Sequence, residues 1–595
     1  MPLLIYGAEL KDENDVITID NFAEKIDQKS WEEFMPKGVT KKEFNNFIKY
    51  YDKEIFCAAG KRIRALAKSA DQLDIEERIE RITEIFNTFR NPDKETVLTP
   101  WRVVNIHLGE SIGGYNFYDQ EFEKILSEPR FIDNGDITKK IFTPNAKILE
   151  INSKSGLYPL YLVYSIYRSR LNKNNTNSLT FENKLSIWDK TVYENIFIIC
   201  KTPMAKSITK RTLVGYRNAK VNTRSFNDLI NLIRHKPHKF IEKVVQGKTF
   251  GKNGDNNMKF NAIVGNPPYQ EEGISSRKSP VYHLFYNIAF QLSDIVTLIT
   301  PARFLFKAGQ TPVEWDEKML SDQHFKIVKY FPKSTEIFPT VDIKGGVIIS
   351  LRDINQNFGK INFFSPHKEL TAILNKISLS NTQNNFSNLV SSQGIYKFSD
   401  ILFIDHPEVY DVQGKGTAAK ITSSCFEKLQ NIFLEDKNDN SYIKIIGLCK
   451  GKRLFKYIKK EYIQNIDFLN YYNVLLPEAN GSGALGEALS SPIISEPGSG
   501  HTDTFLSIGK FLNKHEAENC LKYICTNFTR AMLATLKATQ HNPKSTWKNV
   551  PIQDFTKNSD ISWDTTIDNI DIQLYKKYNL NPDEINFIEE NIQKM

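Results

Sequence analysis

The sequence predicts an α/β protein: a doubly wound domain of strands and helices, preceded by a helical region and followed by a mixed α+β region. Three observations carry this. Between about 96 and 360, short apolar runs alternate with helical stretches, the pattern of strands joined by crossover helices. One run, Ala262 to Val264, stops at Gly265-Asn266-Pro267-Pro268-Tyr269, where two prolines remove two ladder donors and end the strand. Beyond about 365 the alternation ceases. Domains at 1–95, 96–364 and 365–595 follow, in a 595-residue chain too long for one core.

The first 95 residues read as helices. Thr40 with Glu43 and Asp74 with Glu77 have the spacing of capping boxes. After the second, Ile75, Ile79, Ile82 and Phe86 recur at helical spacing until Asn91-Pro92. The basic cluster Lys61-Arg62-Arg64 fits a solvated face better than a phosphate site. Candidate strands of the middle domain are Lys147–Ile151, Asn195–Ile199, Ala262–Val264, Ile295–Ile299 and Gly346–Leu351, with polar loops at Asn172–Asn177 and Gly251–Asn257. The Asn/Ser-rich stretch Ser378 to Ser392 reads as a loop or linker. A last helix starts at Asn581 as N-cap, with Pro582 in its first turn and Asp583 and Glu584 behind it.

Composition narrows the function classes. Hydrophobic content of 40% and charged content of 25% are those of a globular protein. No apolar run approaches the ~18–20 residues of a membrane span, and the amino terminus lacks a basic n-region and meets Glu9, so neither an anchor nor a secretory signal is expected. Cys57, Cys200, Cys425, Cys449, Cys520 and Cys525 form no Cys-x-x-Cys pair and no zinc spacing with the 10 histidines. Reduced thiols in a cytoplasmic protein without structural metal are the expectation. A net charge of +8 permits a polyanionic partner without requiring one. No Gly-x-x-x-x-Gly-Lys-Ser/Thr phosphate loop occurs.

The corner at 265–269 carries the chemistry. Pro268 holds Pro267 extended, so the backbone turns stiffly at the carboxyl end of a strand, where open α/β sheets place ligands. Asn266 offers a side-chain carbonyl, Pro267 a backbone carbonyl, and Tyr269 an aromatic face. Two convergent acceptors beside a stacking surface suit a planar amine, such as the exocyclic amine of adenine. An ordinary Pro-Pro turn would need neither the Asn nor the Tyr.

This string resembles motif IV of the amino methyltransferases that use S-adenosyl-L-methionine, in the Asn-Pro-Pro-Tyr form of adenine-specific DNA methyltransferases. The resemblance implies a Rossmann-like methyltransferase domain. It also implies catalytic roles for Asn266, Pro267, Pro268 and Tyr269: two acceptors aim the amine, and the aromatic ring stacks on the base. Upstream, Ile148-Leu149-Glu150-Ile151-Asn152-Ser153-Lys154-Ser155-Gly156-Leu157-Tyr158 resembles motif I, which assigns Glu150, Asn152, Ser155 and Gly156 to the cofactor. It departs from the family pattern in Glu150 for Asp, Ser153 for Cys and Lys154 for the first Gly. Leu98-Thr99-Pro100-Trp101 resembles motif X, with Thr99 as N-cap, Pro100 at the first helical position, and both beside the cofactor. Motif II should end in an acid for the ribose hydroxyls, but Ile196-Phe197-Ile198-Ile199 ends in Cys200, leaving that partner unassigned. Downstream, Ile299–Leu305 and Phe338–Gly346 are similar to the strand after motif IV and to motif VIII, with Arg303 and Lys344 as phosphate contacts or surface charge.

The order motif X, I, IV and then a long tail is that of gamma-class adenine methyltransferases. Glu516–Ile524 with Thr546–Ile552 is similar to the end of a target-recognition domain. Ahead of it Lys450, Lys452, Arg453, Lys456, Lys459 and Lys460 are interleaved with Phe455 and Tyr457, as suits DNA binding; Lys452, Arg453 and Lys456 are the chosen DNA contacts. The first 95 residues are similar to the helical spacer of large single-chain (type IIG-like) restriction–modification enzymes, and no Pro-Asp…Glu-x-Lys nuclease constellation accompanies them. The expectation is the modification and specificity half of such a system, working on double-stranded DNA with a separate restriction nuclease or motor subunit as a further partner. Two alternatives stay open. An RNA or protein-glutamine methyltransferase is disfavoured by a tail of about 230 residues and by the 116 positions between Glu150 and Asn266. A non-catalytic DNA specificity subunit is favoured by Lys154 and Cys200.

Overall fold

The computed structural model describes residues 1–10, 16–91, 97–173, 179–226, 228–251, 257–271, 279–306, 310–339, 341–361, 364–365, 367–380, 385–414, 416–437, 439–449, 451–464, 467–481, 485–537 and 540–595. They form two units, residues 1–362 and 363–595.

In the first unit an antiparallel ribbon of β1 (Gly114–Tyr118) and β2 (Ile125–Ile132) precedes a seven-stranded sheet. Its strands are β3 (Ile148–Ser153), β4 (Ile196–Cys200), β5 (Asn222–Ser225), β6 (Ala262–Gly265), β7 (Ile295–Pro301), β8 (Phe325–Phe331) and β9 (Val347–Asp353). The spatial order is β5-β4-β3-β6-β7-β9-β8. The strands β3 to β7 run parallel, and β9 inserts antiparallel between β7 and β8. Central strands covered on both faces need unbroken apolar runs, and every residue of β3, β4 and β6 is buried.

All five apolar runs named from the sequence are strands, each within two residues of its expected ends. The middle domain also contains β1, β2, β5 and β8, which the pattern did not reveal. Asn222-Thr223-Arg224-Ser225 has no apolar signal; it is held by its ladder to β4 at the sheet edge. Phe325–Phe331 forms the opposite edge and is half exposed, so lysines interrupt its pattern. The loops expected at Asn172–Asn177 and Gly251–Asn257 lie largely outside the described residues.

The described residues up to 91 contribute six α-helices whose buried side chains share one core with the sheet domain. Polar contacts lock them to the helix Pro203–Val214 that follows β4. The buried Arg78 guanidinium donates to Asp71 at 3.2 Å and to the carbonyls of Thr212 and Arg211 at 3.0 and 3.2 Å, closing the carboxyl end of that helix. Gly215 turns the chain there with φ +63°, and a Cβ would lie 1.8 Å from Asp71. The capping box at Thr40 and Glu43 forms, but the one expected at Asp74 does not. Asp74 makes no side-chain cap and instead pairs with Lys184 at 3.5 Å. In the basic cluster, Arg64 turns inward to the carbonyls of Ile5 and Ala8 while Lys61 and Arg62 stay exposed.

The second unit carries β10 (Tyr442–Cys449), β11 (Lys452–Lys459), β12 (Tyr472–Pro477), β13 (Ile493–Ser495), β14 (Ser499–His501) and β15 (Phe505–Phe511). They make two three-stranded sheets, β11-β10-β14 and β13-β12-β15. An aromatic core of Phe386, Tyr523, Trp547, Phe555 and Trp563 joins the second sheet to the terminal helices. The stretch expected as a loop at 378–392 is corrected here. Its first residues complete the helix Lys368–Ser380, residues 381–384 lie outside the described set, and Phe386 and Val390 are buried. One aromatic captured by the core outweighs the polar composition around it. Asn581 and Glu584 cap the last helix reciprocally, at 2.8 and 2.9 Å. Among the described residues no helix is long and apolar enough to cross a membrane, and no group of His, Cys, Asp or Glu could hold a metal.

Candidate active site

The chain leaves β3 toward β4 and β5 and returns on the other side as β6. The crevice at the carboxyl ends of β3 and β6 is therefore the point where strand order reverses, and open α/β sheets bind ligands at such points. Gly265 makes the approach possible. Its φ is +152°, and a Cβ would stand 2.5 Å from the Ile151 carbonyl oxygen, so only glycine lets β6 end this close to β3.

Asn266 follows at once and is tied from two sides. Its backbone carbonyl accepts from Asn152 Nδ2 at 3.1 Å, across the reversal point. Its own Nδ2 donates to Thr99 Oγ1 at 3.1 Å, which turns the amide oxygen Oδ1 the other way. Pro267 is buried, while Pro268 and Tyr269 are half-buried. The Tyr269 hydroxyl points inward and burial pushes its pKa up; the backbone carbonyl of Tyr269 accepts from Val281 N at 3.1 Å. The structure thus joins the Asn-Pro-Pro-Tyr corner to Asn152 and Thr99, residues 114 and 167 positions away.

Thr99 was expected as an N-cap. The helix Trp101–Ser111 instead has Pro100 at that position, whose side chain offers no acceptor, and the Thr99 hydroxyl is engaged by Asn266.

The end of β3 and the loop after it split into two groups. Glu150 and Asn152 are both buried, Asn152 sits at φ +68°, and Glu150 Oε2, Asn152 Oδ1 and the Tyr269 hydroxyl lack a hydrogen-bond partner among the described residues. Burial pushes the Glu150 carboxyl up to about 8, against a smaller opposing hydrogen bond from Ser153. Buried polar atoms of this kind are costly unless something polar meets them. Two are acceptors, which suits a ligand carrying an ammonium group and hydroxyls.

Ser155 and Gly156 are committed elsewhere. The Ser155 carbonyl accepts from Thr212 Oγ1 at 2.6 Å, and a Cβ on Gly156 would meet Thr209 at 3.0 Å, so these small residues let the helix Pro203–Val214 pack closely. Lys154 reaches the Val97 carbonyl at 3.4 Å, which ties this loop to the segment before Thr99.

At the carboxyl end of β4, Cys200 is fully buried and burial raises its thiol pKa. An acid nevertheless reaches this end from another part of the chain. Glu33, in the helix Gln28–Phe34, is buried and accepts from the Thr202 hydroxyl. No sequence spacing links position 33 to β4. Beyond β5 a cavity of about 750 Å³ is lined by Arg224, Phe226, Asp228, His235 and Lys243, among others. Asp228, at φ +66°, precedes the helix Leu229–His235 and accepts from Asn231 at 2.8 Å.

At the same sheet end Arg303 Nε donates to the Lys344 carbonyl at 2.6 Å, and both side chains are exposed. In the second unit, Lys452 and Arg453 are exposed on β11, and Arg453 also donates to the Ser491 carbonyl. Lys456 differs from the expectation of a free phosphate contact: its ammonium pairs with Glu435 at 2.8 Å and only 15% of its side chain is exposed. Phe455 is 47% exposed, with the Lys444 ammonium 4.1 Å from its ring centre. Lys450 lies outside the described residues.

Residues 194–338, from β4 through the corner, match the family model of the Eco57I restriction-modification methylase. An uncharacterized adenine-specific methylase of Mycoplasma pneumoniae is 30% identical over 95 residues, 15% of this chain and 22% of that protein. Among solved structures, a nuclease-deletion mutant of the Type ISP restriction-modification enzyme LlaGI in complex with a DNA substrate mimic aligns over 96% of this chain and 53% of its own, with 12% identity and a TM-score of 0.42. The ATP-dependent Type ISP enzyme LlaBIII bound to DNA aligns over 85% and 39%, with 12% identity and a TM-score of 0.36. The chain thus spans about a fifth of the curated relative and about half or less of these two enzymes.

Proposed function

We propose that this chain is a site-specific DNA methyltransferase that transfers a methyl group from S-adenosyl-L-methionine to the N6 amine of adenine in duplex DNA, within a restriction–modification system. The observation that carries the proposal is the Asn266 corner: a tethered amide at the reversal point of the sheet, with its oxygen turned away from the tether.

When bound, the cofactor supplies an electrophilic sulfonium methyl. The chain's residues then need to orient an amine and stabilise positive charge developing on its nitrogen. Asn266 Oδ1 and the Pro267 carbonyl accept the two amine hydrogens and leave the nitrogen lone pair aimed at the methyl. The half-exposed ring of Tyr269 stacks on the base once it is rotated out of the duplex. Glu150 and Asn152 offer acceptors to the ammonium and hydroxyl groups of the cofactor, and Glu33 replaces the ribose acid that β4 lacks. Lys154, drawn to the Val97 carbonyl, holds its charge on the motif X segment. Residues 363–595 recognise the DNA site, with exposed Lys452, Arg453 and Phe455 on β11 meeting the duplex. A nuclease or motor activity belongs to a further chain or segment.

Transfer of labelled methyl from the cofactor to duplex DNA, set against RNA and protein acceptors, tests the proposal directly. Asn266→Ala should lower turnover by ~10²-fold or more while DNA binding changes little, because the lost interaction is strongest in the transition state. Near-normal methylation by that variant would remove Asn266 from the mechanism.

A further inference from the structure

A line of buried polar groups runs from Asn266 into the middle of the sheet. Asn266 Nδ2 meets Thr99 Oγ1 at 3.1 Å, and the Thr99 side chain acts on the Tyr158 hydroxyl in the sense of a donor, stabilising negative charge on its oxygen. That hydroxyl lies 2.7 Å from His107 Nδ1. His107 Nε2 lies 2.8 Å from Thr297 Oγ1, which donates to the Ser350 carbonyl at 2.8 Å. Thr99, His107, Tyr158 and Thr297 are all buried, and His107 and Thr297 completely so.

The direction of every bond follows from its far end. The Ser350 carbonyl can only accept, so the single hydroxyl hydrogen of Thr297 is committed to it. Thr297 Oγ1 therefore accepts from His107 Nε2–H. Burial holds the His107 pKa down to about 3, so the ring is neutral and carries one hydrogen. Its Nδ1 must then accept from the Tyr158 hydroxyl. Tyr158 in turn accepts from Thr99, and Thr99 accepts from the Asn266 amide nitrogen. Turning the Asn266 amide over would set Oδ1 against Thr99 Oγ1, whose one hydrogen is already committed to Tyr158, so one buried contact along the line would be lost, which is costly.

We infer that this line sets the amide orientation of Asn266, and that His107, Tyr158 and Thr297 are positioning residues which keep Oδ1 turned toward the substrate amine. The inference rests on the proposed role of Asn266 as acceptor. The line conducts no proton from the reaction, since it ends on a backbone carbonyl and begins on an amide nitrogen without a basic lone pair. It acts by geometry alone.

Thr297→Val tests this from deep in the core. It keeps the shape of the side chain and deletes the acceptor that holds the hydrogen on His107 Nε2. The ring is then free to carry its hydrogen on Nδ1, and the line is free to run backwards. Turnover should fall about 10- to 100-fold, with dissociation constants for cofactor and DNA unchanged, and Thr297→Ser should restore it. Tyr158→Phe, which breaks the line without touching the sheet, should repeat the loss if the valine variant folds poorly. Nitrogen-15 spectra of histidine-labelled protein give a readout independent of activity: the His107 hydrogen belongs on Nε2 in the wild type and leaves it in Thr297→Val. A wild-type hydrogen on Nδ1 would overturn the inference, as would equal turnover of a folded Thr297→Val and Thr297→Ser. Failure of the wild type to methylate DNA would overturn the proposed function instead, while the tautomer would still decide the line.

Discussion

Glu150 shows how much a single position can report. Its carboxyl is raised from 4.5 to about 8 because it is buried. The folded chain thus keeps a proton that the unfolded chain loses, and this group's contribution to stability falls as pH rises from 4.5 to 8. Binding a cationic ligand works in the opposite sense, since it needs the carboxylate and must expel the proton. Affinity for S-adenosyl-L-methionine should therefore climb with pH, by up to about tenfold per unit below pH 8, and flatten above it. Calorimetry in buffers of different ionisation heat would count the released proton, and Glu150→Gln should remove the dependence. Affinity that is flat between pH 6 and 8.5 in the wild type would count against a role for Glu150. Gly265 is the second test at this scale. Gly265→Ala forces a Cβ to within 2.5 Å of the Ile151 carbonyl oxygen at φ +152°. It should cost about 1–3 kcal/mol of stability and displace Asn266, so a thermal melt and a turnover assay should both register it. A variant with wild-type melting and turnover would show that the corner tolerates the methyl group.

Among the elements, β11 separates exposed charge from paired charge. The sequence offered Lys452, Arg453 and Lys456 as equivalent, because strand alternation alone cannot tell which lysine finds a carboxylate. In the fold, Lys456 is drawn to Glu435 while Lys452 remains exposed. Neutralising Lys452 and Arg453 together should weaken binding to every duplex alike and reduce the salt slope by about one to two. Lys456→Ala should change that slope much less. Filter binding over a range of salt would check both, and an equal effect from Lys456 would mean that its pairing gives way on DNA. The helix Pro203–Val214 teaches a related lesson. From the sequence it is an unremarked segment between two apolar runs, yet it receives Gly156, Ser155, Ser30 and Arg78. Residues up to position 91 thereby become part of the sheet domain's core.

For the molecule as a whole, the division at residue 362 leads to a truncation. A chain ending there retains the sheet, the corner, Thr99, Glu150 and Glu33. It should stay folded and bind cofactor, and it should lose site-specific DNA binding. Circular dichroism, calorimetry and a binding assay with specific and scrambled duplexes would measure the three properties. A fragment of 1–362 that still methylates one particular sequence would place recognition within the first unit.

The sequence by itself determined the alternating core strands, the Asn-Pro-Pro-Tyr corner and the order of the segments around it. Those features are written in adjacent residues: unbroken apolar runs that only buried strands accommodate, and two prolines that no central strand accepts. Edge strands were illegible, since β5 has no apolar pattern and is specified by its ladder to β4. The tertiary structure alone decided what the corner is tied to. Asn152, Thr99 and Glu33 reach their partners across 114, 167 and 169 positions, through single hydrogen bonds that no local periodicity encodes. It decided too that Ser155 and Gly156 serve helix packing and that Lys456 is paired, because a side chain's partner is set by whichever element the fold brings alongside it.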